Sequence, residues 1–281
     1  MIRNGEFTLK KHTILFLFLC LCLTLCGCGK RGLEQEPDQW RLEDFDGCMT
    51  EDLDSNRDVY LLAEGTEEEN TVVVLQGKED GPVIYIVAGV HGDEQAGWRA
   101  GNLLKEATIQ AGTVYIVSPA NRYGAKNDQR RTKESWDLNR SFPGDPEGGD
   151  AQRIAHAIFT DIQDKQPDLV LDLHEAQPKE DDYEKLGSNY DALGNSIICH
   201  SLDGIGEMVL DAMLASEAGE LCSSPLTLYG TPPVGSVNQT VTQELGVPTI
   251  TVETLRSEPL AQRVRNQLEL VEFILNYYDM R

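Results

Sequence analysis

His91 and Glu94 stand in Gly89-Val90-His91-Gly92-Asp93-Glu94, and His174 closes Leu169-Val170-Leu171-Asp172-Leu173-His174. Two imidazoles and one carboxylate are the protein donors of a catalytic zinc that keeps one coordination position open for water. A His-x-x-Glu pair alone says little, because the helix dipole favours an acid in a first turn without any metal. A distant third donor at the end of another apolar run changes that. A further acid, Glu253, ends a run of the same kind, Thr249-Ile250-Thr251-Val252. Zinc lowers the pKa of a bound water to about 7, and a carboxylate beside it can take the proton and pass it to a leaving nitrogen. The duller role for Glu253 is to pair with Arg256. An acid closing an apolar strand needs a buried purpose, which favours the general base.

Other polar residues have two readings. Asp172 either holds an imidazole from behind or is a packed polar group. Gly92 gives the donor turn its freedom. His156 lies in a helical stretch and reads as a surface or groove residue, whereas His200 follows a short apolar run and could line a pocket. The polar stretch from Asn121 to Gly149 shows no convincing element, which argues for a functional loop. It contains Arg130-Arg131 and Asp137-Leu138-Asn139-Arg140-Ser141-Phe142-Pro143-Gly144. An arginine fork grips a carboxylate through two hydrogen bonds, and an asparagine adds a neutral donor. Asn139 and Arg140 are therefore candidate substrate ligands. A second arginine could polarise a scissile carbonyl, or Arg130 and Arg131 could simply neutralise an acidic surface. Tyr229 precedes a Gly- and Pro-rich segment and either swings over substrate or packs.

The elements that must position these groups follow from periodicity. Strands are expected at 58–63, 71–76, 83–88, 113–117, 168–173, 197–199 and 249–252, and helices at 94–107 (Asp93 as N-cap), 150–162, 205–218 and 259–277. Strands alternating with helices imply an α/β fold with a doubly wound, mostly parallel (mixed) sheet and helices on both faces. Such sheets bind ligands beyond the carboxyl ends of their strands, where His91, His174 and Glu253 each fall.

The first residues read as an address. Arg3, Lys10 and Lys11 flank an apolar run from Ile14 to Leu25, too short to span a bilayer but fitting a signal peptide. Leu25-Cys26-Gly27-Cys28 follows, a lipobox that places cleavage after residue 27 and lipid on Cys28. The expectation is an extracytoplasmic, membrane-anchored bacterial lipoprotein, with an acidic tether over 28–55 and a hydrolase domain over 56–281. Cys48, Cys199 and Cys222 would then remain, too few for a disulfide framework. The formal charge of −23 argues against a nucleic-acid partner and against attachment through a basic patch.

With these residues assembled, the chain resembles the succinylglutamate desuccinylase/aspartoacylase family within the wider zinc carboxypeptidase group. The resemblance rests on Gly81-Pro82 before a strand, His91-Gly92-Asp93-Glu94, the Asp137–Gly144 octapeptide, Asp172-Leu173-His174 and Glu253. It implies one Zn2+ per chain on His91, Glu94 and His174, with Glu253 as catalytic acid/base. It implies a substrate carboxylate held by Asn139 and Arg140. For the arginine that polarises the carbonyl, Arg131 matches best and Arg130 is the alternative. Tyr229 falls near the mobile tyrosine of the carboxypeptidase branch. Two departures stand out. Glu175 follows the third donor where family members often carry a small residue, adding charge beside the metal. The chain also stops 28 residues after Glu253, without the extension that narrows the pocket in relatives. The expected activity is hydrolysis of an amide bond next to a substrate carboxylate, in an N-acyl amino acid or a related peptide. A metallocarboxypeptidase on short or cell-wall peptides and a non-catalytic ligand-binding lipoprotein are the rivals. A serine hydrolase lacks its Gly-x-Ser-x-Gly elbow.

Overall fold

Strands that are apolar on both faces need cover on both sides, and here they form the centre of the sheet. The computed structural model describes residues 36–176 and 194–281. The strands are β1 (Ser55–Leu62), β2 (Asn70–Gly77), β3 (Glu79–Ala88), β4 (Ala111–Val117), β5 (Leu169–Ala176), β6 (Ser196–Cys199), β7 (Thr227–Tyr229) and β8 (Thr249–Leu255). They lie in the order β1-β2-β4-β3-β5-β8-β6-β7. The four central strands, β4, β3, β5 and β8, are mutually parallel. At the edges β2 runs antiparallel to β4 and β1 to β2, while β6 runs antiparallel to β8. The sheet is therefore mixed.

The helices are α1 (Gln95–Leu104), α2 (Arg122–Asn127), α3 (Asp150–Lys165), α4 (Gly206–Glu217), α5 (Val237–Leu245) and α6 (Leu260–Tyr277). On one face α1 packs on β5 and α6, and α4 rests on α6. On the other face, Tyr85, Val87 and Val170 meet Ile158 and Ile162 of α3 and Val237 and Val241 of α5. Alternation along each strand sends neighbouring residues to opposite faces, so both helical layers find apolar surface. The α/β, doubly wound architecture is the expected one.

Three elements differ from expectation. Residues 121–149 hold α2 and a 3-10 turn at Leu138–Arg140, so the stretch is not free of structure. The edge strand β7 is three residues long and leaves no periodic trace. Helix α5 begins Val-Asn-Gln-Thr-Val-Thr, in which all but Gln are poor helix formers. Ser236 caps it by accepting a hydrogen bond from the Gln239 amide, and burial of Val237 and Val241 holds it down.

Residues 37–55, expected as part of the tether, carry structure. Two 3-10 turns lie at Pro37–Gln39 and Leu42–Asp44, and Phe45, Cys48 and Met49 are buried. The Met49 amide donates to Glu272 of α6 at 2.8 Å. The compact unit starts at Pro37 rather than residue 56. The expected signal peptide and the lipidation site Cys28 lie outside the described residues. Cys48, Cys199 and Cys222 are free thiols.

Candidate metal centre

Because β3 and β5 are parallel neighbours, their carboxyl ends release His91 and His174 at one rim. The chain leaves β3 through Gly89, whose φ of +74° is the left-handed conformation that glycine tolerates. Gly92 is needed for a different reason from the one the sequence suggested. A Cβ there would overlap the backbone of Gly124 and Ala125, so the donor turn lies directly on α2. Glu94, not Asp93, takes the N-cap position of α1, and its side chain makes no capping bond. It turns instead to the imidazoles. His91 Nδ1 lies 2.7 Å from Glu94 Oε1, and His174 Nδ1 lies 2.7 Å from Oε2. All three residues are buried, with donor atoms within 4.8 Å of one another.

The outward ring nitrogens are held as well. His91 Nε2 is 3.0 Å from Asp137 Oδ1. His174 Nε2 is 3.0 Å from Asp172 Oδ1, off the direction of a good hydrogen bond, and 3.3 Å from the Asn139 amide. Carboxylates behind the far nitrogens leave both Nδ1 atoms to point inward, as outer partners of metal-bound histidines do. Two inward imidazoles, one carboxylate and outer acids fit a divalent cation. Electrostatics agree. Burial would raise the Glu94 carboxyl, but the imidazoles of His91 and His174 hold it well below the usual range. Burial likewise opposes ionisation of Asp137, and His91, Arg130 and Arg140 outweigh it and hold the carboxyl down.

Glu253 stands in register with His174 on the adjacent parallel strand β8. Burial pushes its carboxyl up to about 8; His174 and Arg130 oppose that rise, and Glu94 and Asp172 add to it. Its Oε2 has no hydrogen-bond partner. Nor does Glu253 pair with Arg256, which reaches back to Asp93 in the donor turn.

Among the arginines the geometry reverses the expected order. Arg130 donates to Glu94 Oε1 at 3.0 Å and to Asp137 Oδ2 at 3.3 Å. Arg131 is exposed and donates to the Ser135 carbonyl, away from the cluster. Of the two, only Arg130 bonds to the donor cluster. Asn139 is buried, its Oδ1 accepting from the Val237 amide of α5. Arg140 is exposed, held to the Asn139 carbonyl at 2.7 Å. Tyr229 sits on the edge strand β7 opposite Ile198, level with Thr251 and not with Glu253. His200 follows β6, which runs antiparallel to β8, and so leaves the opposite rim; it is exposed beside Gln243. His156 is half-buried on α3. The Glu175 side chain is buried and paired with Arg263 of α6, which offsets its charge.

One curated relative, the N-alpha-acetyl-L-2,4-diaminobutyric acid deacetylase of Halomonas elongata, is 29% identical over 153 residues, 50% of this chain and 44% of that enzyme. The chain thus matches less than half of that relative's length. A succinylglutamate desuccinylase/aspartoacylase structure from Rhodobacter sphaeroides superposes with a TM-score of 0.57 at 19% identity, covering 82% of this chain and 68% of that one. Helicobacter pylori Csd4, a D,L-carboxypeptidase, superposes at 0.60 and 21%, covering 72% and 52%. At such identities the two structures speak for the fold. A family model for the succinylglutamate desuccinylase/aspartoacylase catalytic domain matches residues 80–277, from the second residue of β3 to the end of α6, and the chain belongs to that family.

Proposed function

We propose that the chain is a zinc-dependent hydrolase that cleaves the amide bond of an N-acyl amino acid bearing a free carboxylate. The convergence of both Nδ1 atoms on the Glu94 carboxylate carries this reading. A zinc ion held by His91, Glu94 and His174 would supply Lewis acidity and water activation. Glu253 takes the proton released by the attacking water and returns it to the leaving nitrogen. Its raised pKa suits a proton carrier, and a dication nearby would bring that pKa down towards neutrality. Arg130 points a guanidinium at the donor pocket and stabilises charge on the carbonyl oxygen. Asn139, buried beside His174, and the exposed Arg140 next to it fix the substrate carboxylate. The deacetylase relative supports an acyl amino acid over a peptide.

The test is hydrolysis of a panel of N-acyl amino acids and short peptides, read by mass spectrometry, with zinc counted by elemental analysis. Expected are about one zinc per chain and release of acid from acyl amino acids. A metal-free native protein would overturn the reading, and cleavage of peptides alone would move the substrate class. Lipid attachment at Cys28 is a further part of the proposal. Cys28→Ser should release the protein from the membrane fraction, and unchanged partitioning would remove the anchor.

A further inference from the structure

The peptide unit between His174 and Glu175 is held from both ends. Its N–H, on Glu175, donates to Glu94 Oε2 at 3.1 Å. Its C=O, on His174, accepts from Gln267 Nε2 at 2.6 Å. Gln267 lies on α6, is fully buried, and reaches Thr254 Oγ1 at 3.4 Å with the same amide. Thr254 pairs with Glu175 across β5 and β8, one residue beyond the His174–Glu253 pair. One buried amide thus stitches together the strand that carries the third donor and the strand that carries the proton carrier. Four residues earlier on the same helix, Arg263 pairs with Glu175, whose side chain is fully buried. Positions four apart share a helix face, so both side chains meet β5 together.

Neither contact is cheap to keep. A primary amide taken from water into the core costs free energy unless it is bonded, and a buried glutamate needs its cation. Apolar residues would fill the same space without that cost. A helix needed only for cover would use the apolar residues found elsewhere on α6, such as Leu268 and Val271.

We propose that Gln267 and Arg263 are positioning residues that clamp the His174–Glu175 peptide from beneath and so set the height of the third donor against Glu94. Bonds in series through one peptide unit reinforce each other, so Gln267 acts on both His174 and Glu94. The inference rests on the metal-binding reading of the donor cluster.

Zinc affinity, by chelator competition on the apoprotein, and the visible absorption of the cobalt(II)-loaded protein test it. Gln267→Leu should weaken zinc binding roughly tenfold to a hundredfold and shift the cobalt bands. Leu268→Ala, a buried change on the same helix that removes no hydrogen bond to the donor peptide, should lower thermal stability while leaving affinity within about twofold. Should Gln267→Leu not fold, Arg263→Gln, at a partly exposed position, should show the same loss. A folded Gln267→Leu or Arg263→Gln with wild-type affinity and spectrum overturns the clamp. A wild-type chain that binds neither metal overturns the donor reading and the clamp with it, and that failure is told apart by the wild-type titration itself.

Discussion

Replacing Glu253 by Gln changes charge and almost nothing of shape, so packing is conserved and protonation is the variable. In metal-free protein, burial raises this carboxyl to about 8 from an ordinary 4.5. The folded chain keeps the proton over a pH range in which the unfolded chain has released it. The stability owed to the protonated group is whole below about pH 4.5 and is lost as pH climbs to about 8. Glutamine does not titrate. Variant and wild type should therefore match near pH 4.5, and the variant should become the more stable as pH rises. At about 1.4 kcal/mol per pH unit, the gap at pH 7 reaches about 3 kcal/mol. Part of Glu253 faces the cleft, and water there makes this an upper bound. Chemical denaturation of chelator-treated protein between about pH 5 and 8 measures the gap directly. Adding zinc back should favour the ionised carboxyl and narrow the gap. In loaded protein the variant should keep its metal and lose about 10²–10⁴ in kcat. Parallel stability curves across that pH range would refute a buried Glu253. A gap indifferent to zinc would separate it from the donor cluster.

Two further expectations follow from the rim. Arg130→Ala should lower kcat about 100-fold or more, as loss of a charge-stabilising donor does, whereas Arg131→Ala should leave steady-state kinetics near wild type; the reverse result would restore the order read from the sequence. Gly92→Ala would drive a methyl group into the backbone of Gly124 and Ala125, with no flexible side chain to yield. Overpacking of that kind costs about 1–3 kcal/mol, so the melting temperature should fall by roughly 2–12 °C and zinc affinity should drop with it. An unchanged melting curve would mean that α2 moves freely away from the donor turn.

The sheet was legible because its central strands are near-continuous apolar runs, and a buried parallel strand has no other way to be written. His91, Glu94, His174 and Glu253 were legible because polar groups at the ends of such runs contradict burial unless something uses them. What escaped were groups whose partners come from far along the chain. Gln267 and Arg263 look in sequence like any polar positions on an amphipathic helix. Only the crossing of α6 beneath β5 reveals the peptide they hold. Asp137 was visible within its octapeptide, but its bond to His91 depends on how the long loop folds over α2. The choice between Arg130 and Arg131 depends on one residue of phase in an irregular segment, where no periodicity sets the direction.

The same logic explains a cost that the fold carries at this rim. Glu253 Oε2 and the hydroxyl of Ser196, its cross-strand neighbour on β6, are both buried without partners. Native interiors satisfy nearly all such groups, and packing alone gives no reason to leave two together. Val or Thr at 253 would continue the apolar strand without a proton to hold. Other buried groups meet that demand closely: Asp161 accepts from Tyr60 and Tyr85 at 2.6 and 2.7 Å, and the Asn238 amide is shared between Ile198 and Thr251, although Thr242 Oγ1 and Gln267 Oε1 are also left without partners. The unmet capacity of Glu253 lies beside the donor cluster, where, on the proposed reading, water and a substrate amide would sit for Glu253 to move a proton between them. A Ser196→Ala variant removes one of the two orphaned groups; turnover should change far less than with Glu253→Gln, because the hydroxyl holds no proton that the reaction needs.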